Sequence, residues 1–131
     1  MTERCDSEKR QFVRVPVDLR VDYQFIDQSA PTGSEEVIHG HSANLGAGGL
    51  LLVGPVPDNG IIVDLLMRRV FVSLDIHLPG LKESIRTLAR VAWVESIDVA
   101  RKECSMGLMF KEITGESQDR LFRFIIDAVS S

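Results

Sequence analysis

The chain is poor in several things, and each shortage excludes something. Only two cysteines, Cys5 and Cys104, occur in 131 residues. They stand far apart and form no CxxC pair, so they read as free thiols of a reducing cytoplasm rather than as a disulfide framework. No apolar run approaches the ~20 residues of a membrane span. The opening "MTERCDSEKRQ" is polar throughout, unlike the apolar stretch of a signal peptide. Positive charge is not in excess either. The formal net charge is −4, which argues against a nucleic-acid polymer as partner, because a polyphosphate calls for a broad basic face. Few aromatics look exposed, which disfavours a barrel that stacks single-stranded bases. Ser, His and Asp are scattered without an arranged triad. His39 and His41 share a strand face but lack a third metal ligand. The expectation is a binding protein, not an enzyme, with no metal site.

What is present suits one globular domain. Hydrophobic residues make up 44% and charged residues 26%, enough to build a core without staples. Residues 1–9 hold few apolar side chains and read as a flexible lead-in, with a single domain over 10–131. From Val13 to Phe25 apolar residues alternate with mostly polar ones, the period of a half-buried strand. "VIHGHSAN" and "GGLLLVG" read as the next two strands, joined by a tight glycine turn. Further strands follow in "VFVSLDIHL", "SIRTLARVAWVE" and "CSMGLMF", with a turn at Pro79-Gly80. In this alternation Trp93 falls in line with Ile85, Thr87, Ala89 and Val91 and reads as a core residue.

Two stretches differ. "IIVDLLMRRV" has helical spacing at Ile61, Ile62, Leu65 and Leu66, with Asp58 as a candidate N-cap, and reads as a short helix or irregular turn. Leu65, Leu66 and Met67 are expected either to cover a core edge or to form a sticky patch. "SQDRLFRFIIDAV" places Leu121, Phe124, Ile125 and Ala128 on one helical face, with Phe122, Ile126 and Val129 beside them. Several short strands followed by one helix suggest an antiparallel barrel or curled sheet with the helix packed on one opening.

An acidic chain nevertheless opens on a cluster of cations, Lys9, Arg10 and Arg14. In an extended segment Arg10 and Arg14 point to the same side. A pair of guanidiniums suits phosphate oxygens or the O6/N7 edge of guanine, although on spacing alone a solvated cationic lead-in to a strand is the plainer explanation. The second cluster is "NLGAGG", residues 44–49. Asn44 and Gly46 share a face, and Gly48 and Gly49 permit a sharp turn and close approach of backbone to ligand. A plain hairpin is the alternative for these glycines.

Taken together, in this order and about thirty residues apart by direct count of the sequence, the two clusters resemble the signature of the PilZ domain, RxxxR followed by (D/N)xSxxG. That family is a bacterial receptor for cyclic di-GMP. The first motif stands here as Arg10-Gln11-Phe12-Val13-Arg14 and the second as Asn44-Leu45-Gly46-Ala47-Gly48-Gly49. "ARVAWVE" and "MGLMFKEITGESQDRLFRFI" resemble the family's late strands and closing helix. The resemblance implies a six-stranded antiparallel β-barrel with a C-terminal α-helix. It also implies ligand-binding roles for Arg10, Arg14, Asn44, Gly46 and Gly49, with Lys9, Ser42 and Gly48 adjoining. Arg10 and Arg14 would meet phosphates and guanine edges, and Asn44 a guanine edge. The implied ligand is cyclic di-GMP, with no further cofactor.

The implied partner is a separate effector protein in motility, adhesion or biofilm control, with a homodimer as another route of output. Binding would order residues 1–14 against the barrel. One departure stands out. Gly46 replaces the motif's serine, and losing a hydroxyl contact of ~1.5–3 kcal/mol would weaken binding roughly tenfold or more. Ser42, two residues before Asn44, is expected to compensate in part from the same strand face. The alternative reading is a degenerate PilZ-like adaptor that no longer binds the nucleotide and only contacts proteins.

Overall fold

The period-2 segments become strands, and their apolar members become one core. A computed structural model describes residues 14–27, 36–57 and 60–130. Strands run over Arg14–Val15 (β1), Arg20–Asp27 (β2), Ile38–Gly46 (β3), Gly49–Pro55 (β4), Val70–Ile76 (β5), Ile85–Asp98 (β6) and Glu103–Ile113 (β7). Helices cover Gly60–Leu66 (α1) and Gly115–Ser130 (α2).

All pairings are antiparallel. The strand order is β1-β3-β2-β5-β6-β7-β4, and β3 also pairs with β4. That last pairing closes the sheet. β1 and β2 lie along the same edge of β3, β1 against Leu45 and Gly46 and β2 against residues 38–41. They are two halves of one barrel strand, so the architecture is a closed six-stranded antiparallel barrel with a C-terminal helix. Closure leaves no long open edge to template unwanted pairing.

The first strand is continuous in its alternation but broken in its ladder. Pro16 carries no N–H and cannot donate to a partner strand. Ser42 bridges the break. Its Oγ donates to Val17 O at 2.7 Å and accepts from Leu19 N at 3.1 Å, while Ser42 N donates to Leu19 O at 2.9 Å.

Side chains from every barrel strand meet inside, among them Val21, Tyr23, Leu45, Leu52, Leu74, Ile85, Met106 and Leu108. Tyr23 threads between Gly40 and Gly54, where a Cβ would fall 2.9 Å and 2.4 Å from its ring and hydroxyl respectively. Its hydroxyl is satisfied by donating to Pro55 O at 2.6 Å, as a buried phenol requires.

The ambiguous segment is a short helix. α1 buries Ile62 and Leu65 in the core, whereas Leu66 and Met67 are exposed, so only Leu65 of the expected trio covers a core edge. Asp58 lies outside the described residues. α2 starts earlier than the apolar pattern alone suggests, because Thr114 Oγ1 accepts from Ser117 N at 3.1 Å and caps it. It buries Leu121 and Ile125 and lies against β1 and β6. Phe122, Ile126 and Val129 stay exposed. Gly80 has a φ of 83° and turns the chain after Pro79, a left-handed backbone that glycine adopts without steric cost. Among the described residues no helix is long and apolar enough to cross a membrane.

Candidate ligand-binding site

The site forms on the outer face of the barrel beside the β3–β4 hairpin. Arg14 ends the lead-in, pairs in register with Gly46, and points outward because its neighbour Val15 is buried. Its Nη1 donates to Asn44 Oδ1 at 2.9 Å. The same guanidinium lies over the ring of Trp93, 5.6 Å from the ring centroid, a cation–π contact.

Cross-strand register explains how β3 and β6 residues meet. Asn44 is opposite Leu51, Leu51 opposite Gly107, and Gly107 opposite Trp93. These four stand in one row across four strands, spaced by about 4.8 Å per strand. Trp93 lies down along this row because Gly107 has no side chain. A Cβ there would sit 2.3 Å from ring carbons of Trp93.

Two β-bulges set the outward direction. In β3 the register shifts between Ser42 and Asn44, and in β6 between Val91 and Trp93. A bulge adds one residue and reverses which face the next side chain takes. Trp93 is therefore 39% exposed, on the outer face and out of line with buried Ala89 and Val91. This corrects its assignment to the core. The alternation of β6 carried no mark of the extra residue. By the same mechanism Ser42 and Asn44 occupy opposite faces. Ser42 is fully buried and its hydroxyl is spent on the first-strand break, so it cannot stand in for the missing motif serine.

Gly46, Gly49 and Gly107 carry no side chain on this surface, and Leu51 is the one large apolar residue in the row from Asn44 to Trp93. Gly49 is not needed for an unusual turn, since its φ is not positive. It is needed because β4 runs so close to β7 that a Cβ would fall 1.9 Å from Leu108 O. Gly48 contributes backbone, its carbonyl accepting from Phe110 N at 2.8 Å. Lys9 and Arg10 lie outside the described residues, as do the expected lead-in over 1–9 and Cys5. Of the sequence-derived residues, the structure thus gathers Arg14, Asn44, Gly46, Gly48 and Gly49, leaves Ser42 inside, and adds Trp93.

A family model for the PilZ domain matches residues 8–127. The chain belongs to the PilZ domain family. The family's two motifs fall on the lead-in to β1 and on the end of β3 with its hairpin. Among solved structures, the Bacillus subtilis inhibitor of motility MotI/DgrA is 24% identical, with a TM-score of 0.61 over 92% of this chain and 51% of that one. The PilZ domain of YcgR from Escherichia coli, solved with c-di-GMP, is 9% identical with a TM-score of 0.58, over 93% and 92% of the two chains. The MrkH–c-di-GMP complex of K. pneumonia is 14% identical with a TM-score of 0.60, over 92% and 52%. At these identities the likeness is one of fold. The chain spans about half the length of MotI and MrkH. No curated protein matches it.

The other polar cluster lies on β2, β3 and the end of β5. His39 Nδ1 and His77 Nε2 approach the two oxygens of Asp22 at 2.7 and 2.9 Å, and Arg20 Nε is 3.4 Å away. Partial burial pushes the Asp22 carboxyl upward, but hydrogen bonds from His39, His77 and Arg20 outweigh it and bring its pKa to about 2. It is therefore an acceptor, and both imidazole nitrogens donate. Among the described residues no group of three or more His, Cys, Asp or Glu is arranged to hold a metal. A cavity of about 570 Å³ lies at the far end of β3 and β4, lined by Phe25, Val37, Ile38, Val56 and Ile61 among others. Among the described residues that line it there is no Lys or Arg.

Proposed function

We propose that the chain is a cyclic di-GMP receptor module that passes the signal to a partner protein. The observation that carries this reading is the Arg14 guanidinium, held by Asn44 and lying over the Trp93 ring on a surface where Gly46, Gly49 and Gly107 carry no side chain. Cyclic di-GMP offers two flat guanines and two phosphates. A guanine needs a stacking surface and a donor for O6 and N7, and arginine supplies both together. A phosphate needs an unneutralised cation, and among the described residues Arg14 has no carboxylate partner. Arg10, four residues earlier, would add a second guanidinium, and Lys9 further charge.

Gly46 withholds the hydroxyl of the family motif, which lowers affinity about tenfold and leaves the stacking surface in place. The molecule is a binding module, with the new surface around Arg14 as its output to an effector or to a second copy. The second reading, an adaptor that has lost the nucleotide, draws on Gly46 and on the Arg14–Asn44 bond, which joins the two motif side chains to each other without ligand.

Calorimetric titration of cyclic di-GMP into the full chain, beside Arg10→Ala and Arg14→Ala, separates the two. Saturable micromolar binding that both variants lose supports the receptor. No heat and no thermal shift at high ligand would sink it in favour of the adaptor.

A further inference from the structure

We infer that Arg90 is a further ligand-binding cation of this surface, taking the second phosphate of a cyclic dinucleotide from the side opposite Arg14. This rests on reading the surface as a nucleotide site.

The register places it there. Arg14 is opposite Gly46, and the short turn at Ala47 and Gly48 joins Gly46 to Gly49. Gly49 is opposite Met109, and Met109 is opposite Arg90. Arg14 and Arg90 therefore end a second row that runs beside the row from Asn44 to Trp93. At about 4.8 Å per strand the row spans about 19 Å of curved sheet, with Gly46 and Gly49 next to Arg14 and Met109 next to Arg90. Arg90 points outward because Ala89 and Val91 on either side are buried in the core. Arg90 and Trp93 are opposite Met109 and Gly107, two residues apart on β7, so Arg90 stands about 7 Å along the sheet from Trp93.

Its charge is also available. Arg20, Arg69, Arg86, Arg101, Arg120 and Arg123 each pair with a carboxylate. Among the described arginines, only Arg14, Arg90 and Arg68 (in the turn after α1) have no such pair. The Arg90 Nη2 instead contacts Met109 Sδ at 3.4 Å, a weak acceptor that a phosphate oxygen would displace readily. An acidic protein that pairs most of its described arginines with carboxylates leaves two unpaired on one face of the sheet, flanking its single tryptophan. A ligand with two phosphates related by symmetry fits two cations at opposite ends of one row.

The test is calorimetric titration of cyclic di-GMP into the wild type, Arg14→Ala, Arg90→Gln and Arg90→Lys, with thermal melts and Trp93 emission of each free protein. Arg90→Gln is expected to weaken binding about tenfold or more, as loss of a charged hydrogen bond does, with Arg90→Lys intermediate. Melting temperature and free-state emission should stay at wild-type values. Wild-type affinity in Arg90→Gln, with Arg14→Ala still disabled, would overturn the role of Arg90 alone. A wild-type chain that takes up no nucleotide would overturn the receptor reading and this inference together.

Discussion

Replacing Gly107 with alanine would place a Cβ 2.3 Å from the Trp93 ring, against 3.4–4 Å for ordinary contact. The ring must lift by roughly 1.1–1.7 Å, the difference between those distances. Trp93 is already 39% exposed and can swing outward, so the fold should lose only about 1 kcal/mol, as for a moderate steric insertion. The binding surface should lose more. Lifting the ring moves the guanidinium that lies over it, and with it the surface on which a base would stack, and such stacking is worth about 1–3 kcal/mol. At 1.4 kcal/mol per tenfold, that is about a 5- to 150-fold loss of cyclic di-GMP affinity. The chain contains one tryptophan, so its emission reports this site alone. We expect a red-shifted free-state emission, a small drop in melting temperature and the stated loss by calorimetry. Unchanged emission with wild-type affinity would refute the role of Trp93, seated over Gly107, as the support of that stacking surface.

Gly49→Ala acts through backbone instead. Its Cβ would meet Leu108 O at 1.9 Å, and no rotamer relieves that, so a loss of about 3 kcal/mol and a melting temperature lower by about 10 °C are expected. Ser42→Ala removes the bridge across the first-strand break and should cost about 2 kcal/mol in a urea melt, while nucleotide affinity of the folded protein stays unchanged. Asp22→Asn tests the histidine-linked carboxylate. Its native pKa of about 2 lies below the ordinary 3.8, so its contribution is complete above about pH 4 and is lost as pH falls toward 2. The variant should be about 1–2 kcal/mol less stable at pH 7, and the difference should shrink to a few tenths of a kcal/mol, on the order of 0.4, by pH 2, read from urea midpoints.

The barrel was legible because alternation is a local property. Val15, Leu19, Val21, Tyr23 and Phe25 face inward as their spacing predicts, even across the break at Pro16, since the period survives where the ladder does not. The closing helix was legible for the same reason, through Leu121 and Ile125. Its exposed flank of Phe122, Ile126 and Val129 was not, because a broad stripe does not say which part meets the barrel. The motif residues Arg14, Asn44 and Gly49 were named from the chain. The reason Gly49 must be glycine was not, because it lies in how closely a strand nearly sixty residues away approaches it.

The sequence by itself determined strands, helix, the cation cluster and the glycine-rich hairpin, all encoded within a few residues of one another. Tertiary structure alone decided which side chains share a surface. Two bulges, each invisible in an apolar–polar pattern, turn Ser42 inward and Trp93 outward. Barrel closure then sets β3, β4, β7 and β6 side by side, so that Asn44, Gly107 and Trp93 fall in one row. That coincidence depends on register across strands far apart in sequence, which no short window of residues contains.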